Sequence, residues 1–143
     1  MTRRRRGIRG QALVELAMAV LLLITLGMGI VEFGRILMIA NLVTHAARDG
    51  ARAAAATPSS GRNASGFITS TAAIETRVRD HIANVADPGP FTITVTQPAP
   101  GGTGGIPMVT VQVTGDVPFV ALPNLVGTNL SISRSVSFRD EGR

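Results

Sequence analysis

The sequence predicts an α+β protein in which a long N-terminal helix crosses a membrane and extends into a small outer domain with a second helix and an antiparallel β-sheet. Three observations lead to this fold class. A long apolar run follows a basic N-terminus, helical spacing continues beyond that run, and short segments of alternating apolar and polar residues close the chain. The 143 residues leave room for one small domain outside the membrane.

The first helix begins with a segment that is able to cross a lipid bilayer. Residues 16–31 carry no charge, and counting back to Ala12 the one interruption is Glu15. Twenty helical residues span about 30 Å, which is the thickness of the hydrocarbon core. Several arginines precede the segment, so the positive-inside tendency places the N-terminus in the cytoplasm and the C-terminal domain outside. We therefore expect a transmembrane helix over residues 11–35.

Helical periodicity continues over residues 36–56, which we interpret as an amphipathic stalk. Glu32 and Arg35 are three positions apart, as are Asp49 and Arg52, so each acid is predicted to pair with its arginine on one face of the helix. Small residues dominate the end of the stalk and would let a neighbouring helix or sheet approach closely. An ordinary alanine-rich helix end has the same composition.

The outer domain is predicted over residues 57–143, after a cluster of helix-breaking residues. A second helix is expected over Thr71–Ala86, and its apolar face consists of Ile74, Val78, Ile82 and Val85. Strands are expected at Phe91–Gln97, Met108–Thr114 and Asn129–Phe138, with a weaker piece at Val117–Ala121. The alternation of the middle strand predicts one buried and one wet sheet face. A glycine-rich loop, residues 98–105, joins the first two strands.

Composition argues against several classes of function. The net charge of +5 comes from the arginines of the first ten residues, and the remaining basic residues balance the nine acids, so no nucleic-acid-binding surface is predicted. The chain has no cysteine, which excludes disulfides and thiol ligands. His45 and His81 alone make no metal site, and no serine lies in a nucleophile turn. We therefore predict no metal, no cofactor and no catalytic residue, and an enzyme is the least favoured class.

The junction at Gly10 looks like a type IV prepilin processing site. A basic leader, residues 1–10, ends at Gly10, and Gln11 opens the apolar helix with Glu15 in its second turn. A glycine before the scissile bond lets a protease approach an extended backbone closely. After cleavage, the helix dipole and the free amine of Gln11 would offset the cost of placing the Glu15 carboxylate in the membrane. A cut after Gly7 is the alternative, and it would place the acid eighth rather than fifth.

Two further motifs, Gly29–Arg35 and Ala46–Ala54, complete a resemblance to the TadE-like family of pseudopilins from tight-adherence pilus systems. The family pattern is similar to a G-x-x-x-x-E start, an E-F-G-R-like segment and an A-A-R-x-G-A-R-like segment. The resemblance is strong over residues 7–56 and weak over the remainder, where the last strands look like the family's ending. The family's frequent proline in the apolar helix is missing here, which predicts a less kinked helix.

The resemblance implies a minor pilin or assembly factor. A prepilin peptidase would cut after Gly10, leaving Gln11 as the new N-terminus and Glu15 as the acid required for processing or for register between subunits. The implied partners are the membrane, a major Flp-type pilin, a TadF-like pseudopilin and the inner-membrane assembly platform. The implied residues of helix packing and assembly are Glu15, Glu32, Phe33, Arg35, Arg48, Gly50 and Arg52.

Other interpretations of the N-terminus stay open at this point. The chain could be an unprocessed signal-anchored membrane protein with Glu15 snorkelling to the cytoplasmic interface and an outer domain that binds a ligand or a surface. The arginine leader would also suit a lipid headgroup anchor. A cleaved secretory signal is disfavoured because the apolar run exceeds the roughly 7 to 15 residues of such signals, and because Glu32 and Arg35 occupy the expected cleavage zone.

Overall fold

The computed structural model describes residues 5–83, 90–97, 108–120 and 127–140, with side chains from residue 10 onward. Its elements are α1 (Arg5–Ala55), a 3₁₀ turn (Ser59–Gly61), α2 (Ala72–Ala83), β1 (Phe91–Thr96), β2 (Met108–Pro118) and β3 (Asn129–Arg139). The predicted α+β class is therefore confirmed. The predicted loop 98–105, Val85 and the end of the weak strand at Ala121 lie outside the described residues.

Helix α1 is a single helix of 51 residues. It begins at Arg5, whereas we expected a polar leader up to Gly10 and a helix from Gln11. Arginine is a good helix former, and no proline or capping residue stops the helix within the leader. At its other end the helix stops at Ala55, before Pro58, as the breaker residues predicted.

The two halves of α1 have different surroundings. Its most apolar 18-residue window has a mean hydropathy of 2.4, and none of that window is buried within the protein. Among the described residues, α1 is the one helix that is long and apolar enough to cross a membrane. In the second half, Ile39, Val43 and Ala47 are completely buried. The first half therefore needs lipid or other helices to cover it, whereas the second half belongs to the core of the outer domain.

The sheet has the order β1-β2-β3, and both pairings are antiparallel. On the central strand β2, the valines facing inward are fully buried: Val109, Val111, Val113 and Val117. Gln112, between them, is exposed. The prediction of one buried and one wet face is confirmed for this strand.

Strand β2 is longer than predicted because the segment after Thr114 stays paired with β3 as far as Pro118. Gly115 lies opposite Phe91 on β1 and Ile132 on β3. A Cβ at Gly115 would stand 2.8 Å from ring atoms of Phe91, so the absence of a side chain makes room for the aromatic ring. The predicted strand and part of the weak piece after it are thus one strand.

The core lies between the inner face of the sheet and the two helices. The α2 residues Ile74, Val78 and Ile82 are buried there, as their spacing predicted. Helix α1 runs alongside β2 in the opposite direction, since Arg35 contacts Pro118 and a Cβ at Gly50 would stand 3.5 Å from Val111. Between these contacts the helix rises about 22 Å and the strand about 23 Å. The sheet therefore follows α1 from the turn that contains Arg35 to the end of the helix.

Candidate functional site

The junction residues lie near the start of α1. Gly10, Gln11 and Glu15 are all exposed, and a Cβ at Gly10 would meet nothing within 4 Å. Glu15 makes no hydrogen bond or ion pair with the side chains described from residue 10 onward. The structure thus places the carboxylate on an uncovered helix surface, within the single chain, where it is available to a group on another molecule.

The peptide bond after Gly10 is inside the helix, so a protease that binds extended backbone would have to unwind the first turns. Glycine eases this step, because a helical glycine is about 1 kcal/mol less stable than alanine. The exposed position of the bond means that no tertiary contact of the described residues opposes the unwinding.

The apolar surface beyond the junction is uncovered as well. Leu21, Leu22 and Leu26 are all more than half exposed, and Phe33 is 63% exposed at the outer end of the same surface. Phe33 does not join the core of the outer domain. It directly follows Glu32 in the helix.

Glu32 and Arg35 form the ion pair that their spacing predicted. The Arg35 Nη2 and Nε groups donate to Glu32 Oε1 at 2.6 and 3.1 Å. Glu32 is buried, whereas about a quarter of the Arg35 side chain is exposed. Since a buried carboxylate requires a partner, the arginine satisfies a charge at the base of the outer domain.

The same two side chains also bind the end of β2, which the sequence did not predict. Arg35 Nη2 donates to the carbonyl oxygen of Pro118. The backbone N–H of Val120 donates to Glu32 Oε1 at 3.3 Å. We call Glu32, Arg35, Pro118 and Val120 the juxtamembrane clamp. It fixes the sheet to the turn of α1 that emerges from the apolar segment.

The third motif divides between the two sides of α1. Ala47, Gly50 and Ala51 face the core, and a Cβ at Gly50 would overlap Cγ2 of Val78 on α2. The expectation that small residues permit close approach is confirmed here, with α2 as the neighbour. Arg48 and Arg52 are on the outside and are exposed. The fold thus explains the small residues of this motif but not its arginines.

The predicted pairing of Asp49 with Arg52 was wrong. Asp49 Oδ2 lies 3.4 Å from Nε2 of His81 on α2, and no ion pair joins it to Arg52. The acid lies beside α2 rather than over the next turn of its own helix. The predicted contact within α1 is thus replaced by a contact between α1 and α2. The side chains of Asp49 and His81 are both about half exposed.

A buried arginine in the outer domain escaped the sequence analysis. The Arg62 Nη1 and Nη2 groups donate to the two carboxylate oxygens of Asp140 at 2.8 and 2.7 Å. Arg62 also donates to the carbonyl oxygens of Thr57 and Gly66. It ties the loop after α1 to the end of β3, at the far end of the domain from the juxtamembrane clamp. No local motif marks it, because its partner is distant in the sequence.

Nothing in the described part of the chain groups three or more histidine, aspartate or glutamate side chains as a metal site would. His45 is exposed on α1, and His81 pairs with Asp49. The chemistry that this arrangement supports is packing and attachment: an uncovered apolar helix with one carboxylate, and two arginine-centred contacts that hold a sheet against its continuation.

Comparison with known proteins identifies the N-terminal segment. Residues 10–52 match the sequence model of a family described as TadE-like protein. This confirms the predicted resemblance over the junction, the apolar helix and most of the stalk, and residues 53–143 lie outside the match. No curated protein and no solved structure matches the chain.

Proposed function

We propose, from the TadE-like segment at residues 10–52, that this protein is a pseudopilin, or minor pilin, that acts in the assembly of tight-adherence (Flp-type) type IV pili. The observation that carries the proposal is that this segment contains the whole exposed apolar surface of α1 together with the stalk that continues it. The matched residues include the junction at Gly10, the uncovered apolar surface and the stalk that enters the core of the outer domain. The family is a structural, pilus-related one, and this speaks against a catalytic role.

The membrane location follows the same helix. One N-terminal apolar helix fits a single-pass membrane protein with a pilin-like N-terminal anchor. We propose the cytoplasmic (inner) membrane, with the N-terminus in the cytoplasm because arginines precede the apolar segment. The outer domain then lies beyond the membrane, and the mature protein has access to the pilus.

Processing is the first step of the proposed function. A prepilin peptidase cuts after Gly10, and the new amine on Gln11 comes to lie about one helical turn from the Glu15 carboxylate. The exposure of Glu15, and the absence of a partner for it among the side chains described from residue 10 onward, support a role between subunits. A carboxylate in a membrane is costly unless a partner or the helix dipole offsets it.

The outer domain is fixed to the anchor helix and moves with it. The juxtamembrane clamp and the shared core of α1 and β2 mean that any rotation of the helix turns the sheet with it. We propose that packing of α1 among a major Flp-type pilin and a TadF-like pseudopilin, on the inner-membrane assembly platform, thereby sets the position of the sheet.

The substitution Glu15→Gln tests the proposal in the producing organism. It removes a charge without changing the size of the side chain, and therefore insertion of the helix into the membrane should be unchanged. We expect leader removal or pilus assembly to be impaired, as measured by the electrophoretic mobility of the protein and by the amount of sheared pili. Normal pili with Glu15→Gln would refute the assignment.

Thr25→Val is the matched control for that experiment. Thr25 lies in the same apolar segment, and its hydroxyl donates to the carbonyl oxygen of Leu21 within its own helix at 2.9 Å. The substitution replaces the hydroxyl group with a methyl group of similar size and leaves the Glu15 carboxylate in place. Pilus formation should continue normally with this variant.

A further inference from the structure

Helix α1 carries an exposed basic face that the fold leaves unused. Its members are Asn41, His45, Arg48 and Arg52, which we call the outward arginine face, and all four are exposed. With 3.6 residues per turn, they lie within an arc of about 60°. The completely buried residues of the same stretch lie on the opposite side: Ile39, Val43, Ala46, Ala47, Ala51 and Ala54.

The charge of this face has no partner in the described part of the chain. Neither the Arg48 nor the Arg52 side chain makes a hydrogen bond or an ion pair with a described residue. The nearby acid, Asp49, pairs with His81 beside α2. Two arginines on successive turns of one helix face therefore repel each other by a few tenths of a kcal/mol, and an acidic partner would reverse that effect.

The height of the face excludes lipid phosphate as its partner. Arg48 follows Val31, the last residue of the uncharged run, by about 25 Å of helix. The headgroup layer adds only about 5 to 8 Å on each side of the hydrocarbon core. The anion must therefore belong to a macromolecule that extends as far from the membrane as this stalk does.

A second copy of this chain is also a poor occupant. When two parallel helices pack through the same face, their axes lie about 8 to 10 Å apart and equivalent residues meet. Arg48 would then face Arg48, and Arg52 would face Arg52. Such like-charge contacts oppose association and select against the wrong partner.

We infer that the outward arginine face binds a helix of a different membrane-anchored subunit, one that carries aspartate or glutamate at the height of Arg48 and Arg52. This deepens the proposed function and rests on it for the membrane location of the partner. The same side of α1 continues toward the membrane through the exposed Met38, and so a parallel helix could follow it without a break. The apolar segment alone does not distinguish one helical neighbour from another, and charge pairing on the stalk would select among them.

The test is photocrosslinking of the full-length chain in the membranes of the producing cells. A benzophenone amino acid replaces His45, and the adducts are identified by mass spectrometry. We expect an adduct with a different membrane-anchored subunit, reduced about tenfold or more by Arg48→Glu with Arg52→Glu. Changing the acids of that subunit to arginine should restore the adduct with the reversed variant.

Arg77→Glu with Arg79→Glu is the matched control. Both arginines are exposed on α2, so the net charge changes equally while the outward arginine face stays intact, and the adduct should persist. An adduct between two copies of this chain, an adduct that survives reversal of Arg48 and Arg52, or no adduct would each overturn the inference.

The same samples separate this inference from the proposed function. Mass spectrometry of the N-terminus reports whether the leader has been removed. A processed chain without a charge-dependent adduct would contradict the inference alone. A retained leader with a charge-dependent adduct would contradict the proposed function and would still support an acidic partner.

Discussion

Arg62 and Asp140 join the loop after α1 to the end of β3 through a two-pronged ion pair, with nitrogen-to-oxygen distances of 2.8 and 2.7 Å. Arg62 follows the end of α1, and Asp140 follows β3. Only 5% of the arginine side chain and 16% of the aspartate side chain are exposed. Because α1 also carries the juxtamembrane clamp, the sheet is held to the chain at both of its ends.

Removal of the arginine should destabilise the outer domain. We expect Arg62→Ala to lower the free energy of unfolding by about 2 to 4 kcal/mol, because it removes the guanidinium from a largely buried carboxylate and from two carbonyl groups. Thermal unfolding of the full chain in detergent micelles, followed by circular dichroism, measures the change. Arg134→Ala, at an exposed position of β3, should change stability by less than about 0.5 kcal/mol. Equal melting of both variants would contradict the role of Arg62.

Gly50→Ala should destabilise the contact between α1 and α2. The new methyl group would overlap Cγ2 of Val78, and overpacking of this kind costs about 1 to 3 kcal/mol, more than the helix gains from alanine. Gly34→Ala is the control, because a Cβ there would meet nothing within 4 Å. Unfolding in micelles should show a loss for the first variant alone, and Val78→Ala added to Gly50→Ala should recover part of it.

Release of the juxtamembrane clamp should be visible at one amide. Glu32→Ala removes the acceptor of the Val120 N–H, and hydrogen bonds to charged groups contribute about 1.5 to 3 kcal/mol. We therefore expect hydrogen exchange at Val120 to accelerate about tenfold or more, with a smaller effect from Arg35→Ala. Arg48→Ala should leave that amide unchanged. Unaltered exchange after Glu32→Ala would mean that the contact does not hold the end of β2.

The orientation of the chain is testable because it contains no cysteine. Ser60→Cys places a thiol at an exposed site beyond α1, and we expect a membrane-impermeant maleimide to label it in intact spheroplasts. Val20→Cys, within the apolar segment, should remain unlabelled because lipid covers it. Labelling of Ser60→Cys only after permeabilisation would reverse the orientation that the arginine leader predicts.

Features that depend on residues close together in the sequence were predicted correctly. The burial of Ile74, Val78 and Ile82 was predicted because they repeat at helical spacing. The burial of the β2 valines was predicted because they alternate with polar residues. The ion pair of Glu32 with Arg35 was predicted for the same reason. These elements needed no information about the rest of the chain.

Contacts between distant segments were not predicted. Asp49 lies against His81 on α2 instead of Arg52, and Arg62 reaches Asp140 across 78 positions. The binding of Val120 by Glu32 spans 88 positions. Each depends on how α1 lies against the sheet, which no spacing within α1 encodes. The helix over residues 5–10 was missed for another reason: its arginines favour helix, and no proline interrupts it.

The central claim is that the chain enters the pilin pathway by loss of its leader. The measurement is the mass of the N-terminal peptide of the membrane-bound protein, in cells with and without the prepilin peptidase. We predict a chain that begins at Gln11 when the peptidase is present and an intact leader when it is absent. Gly10→Val should block the cut, and Gly7→Val should not. A leader retained under both conditions would contradict the account and make the protein an unprocessed signal-anchored one.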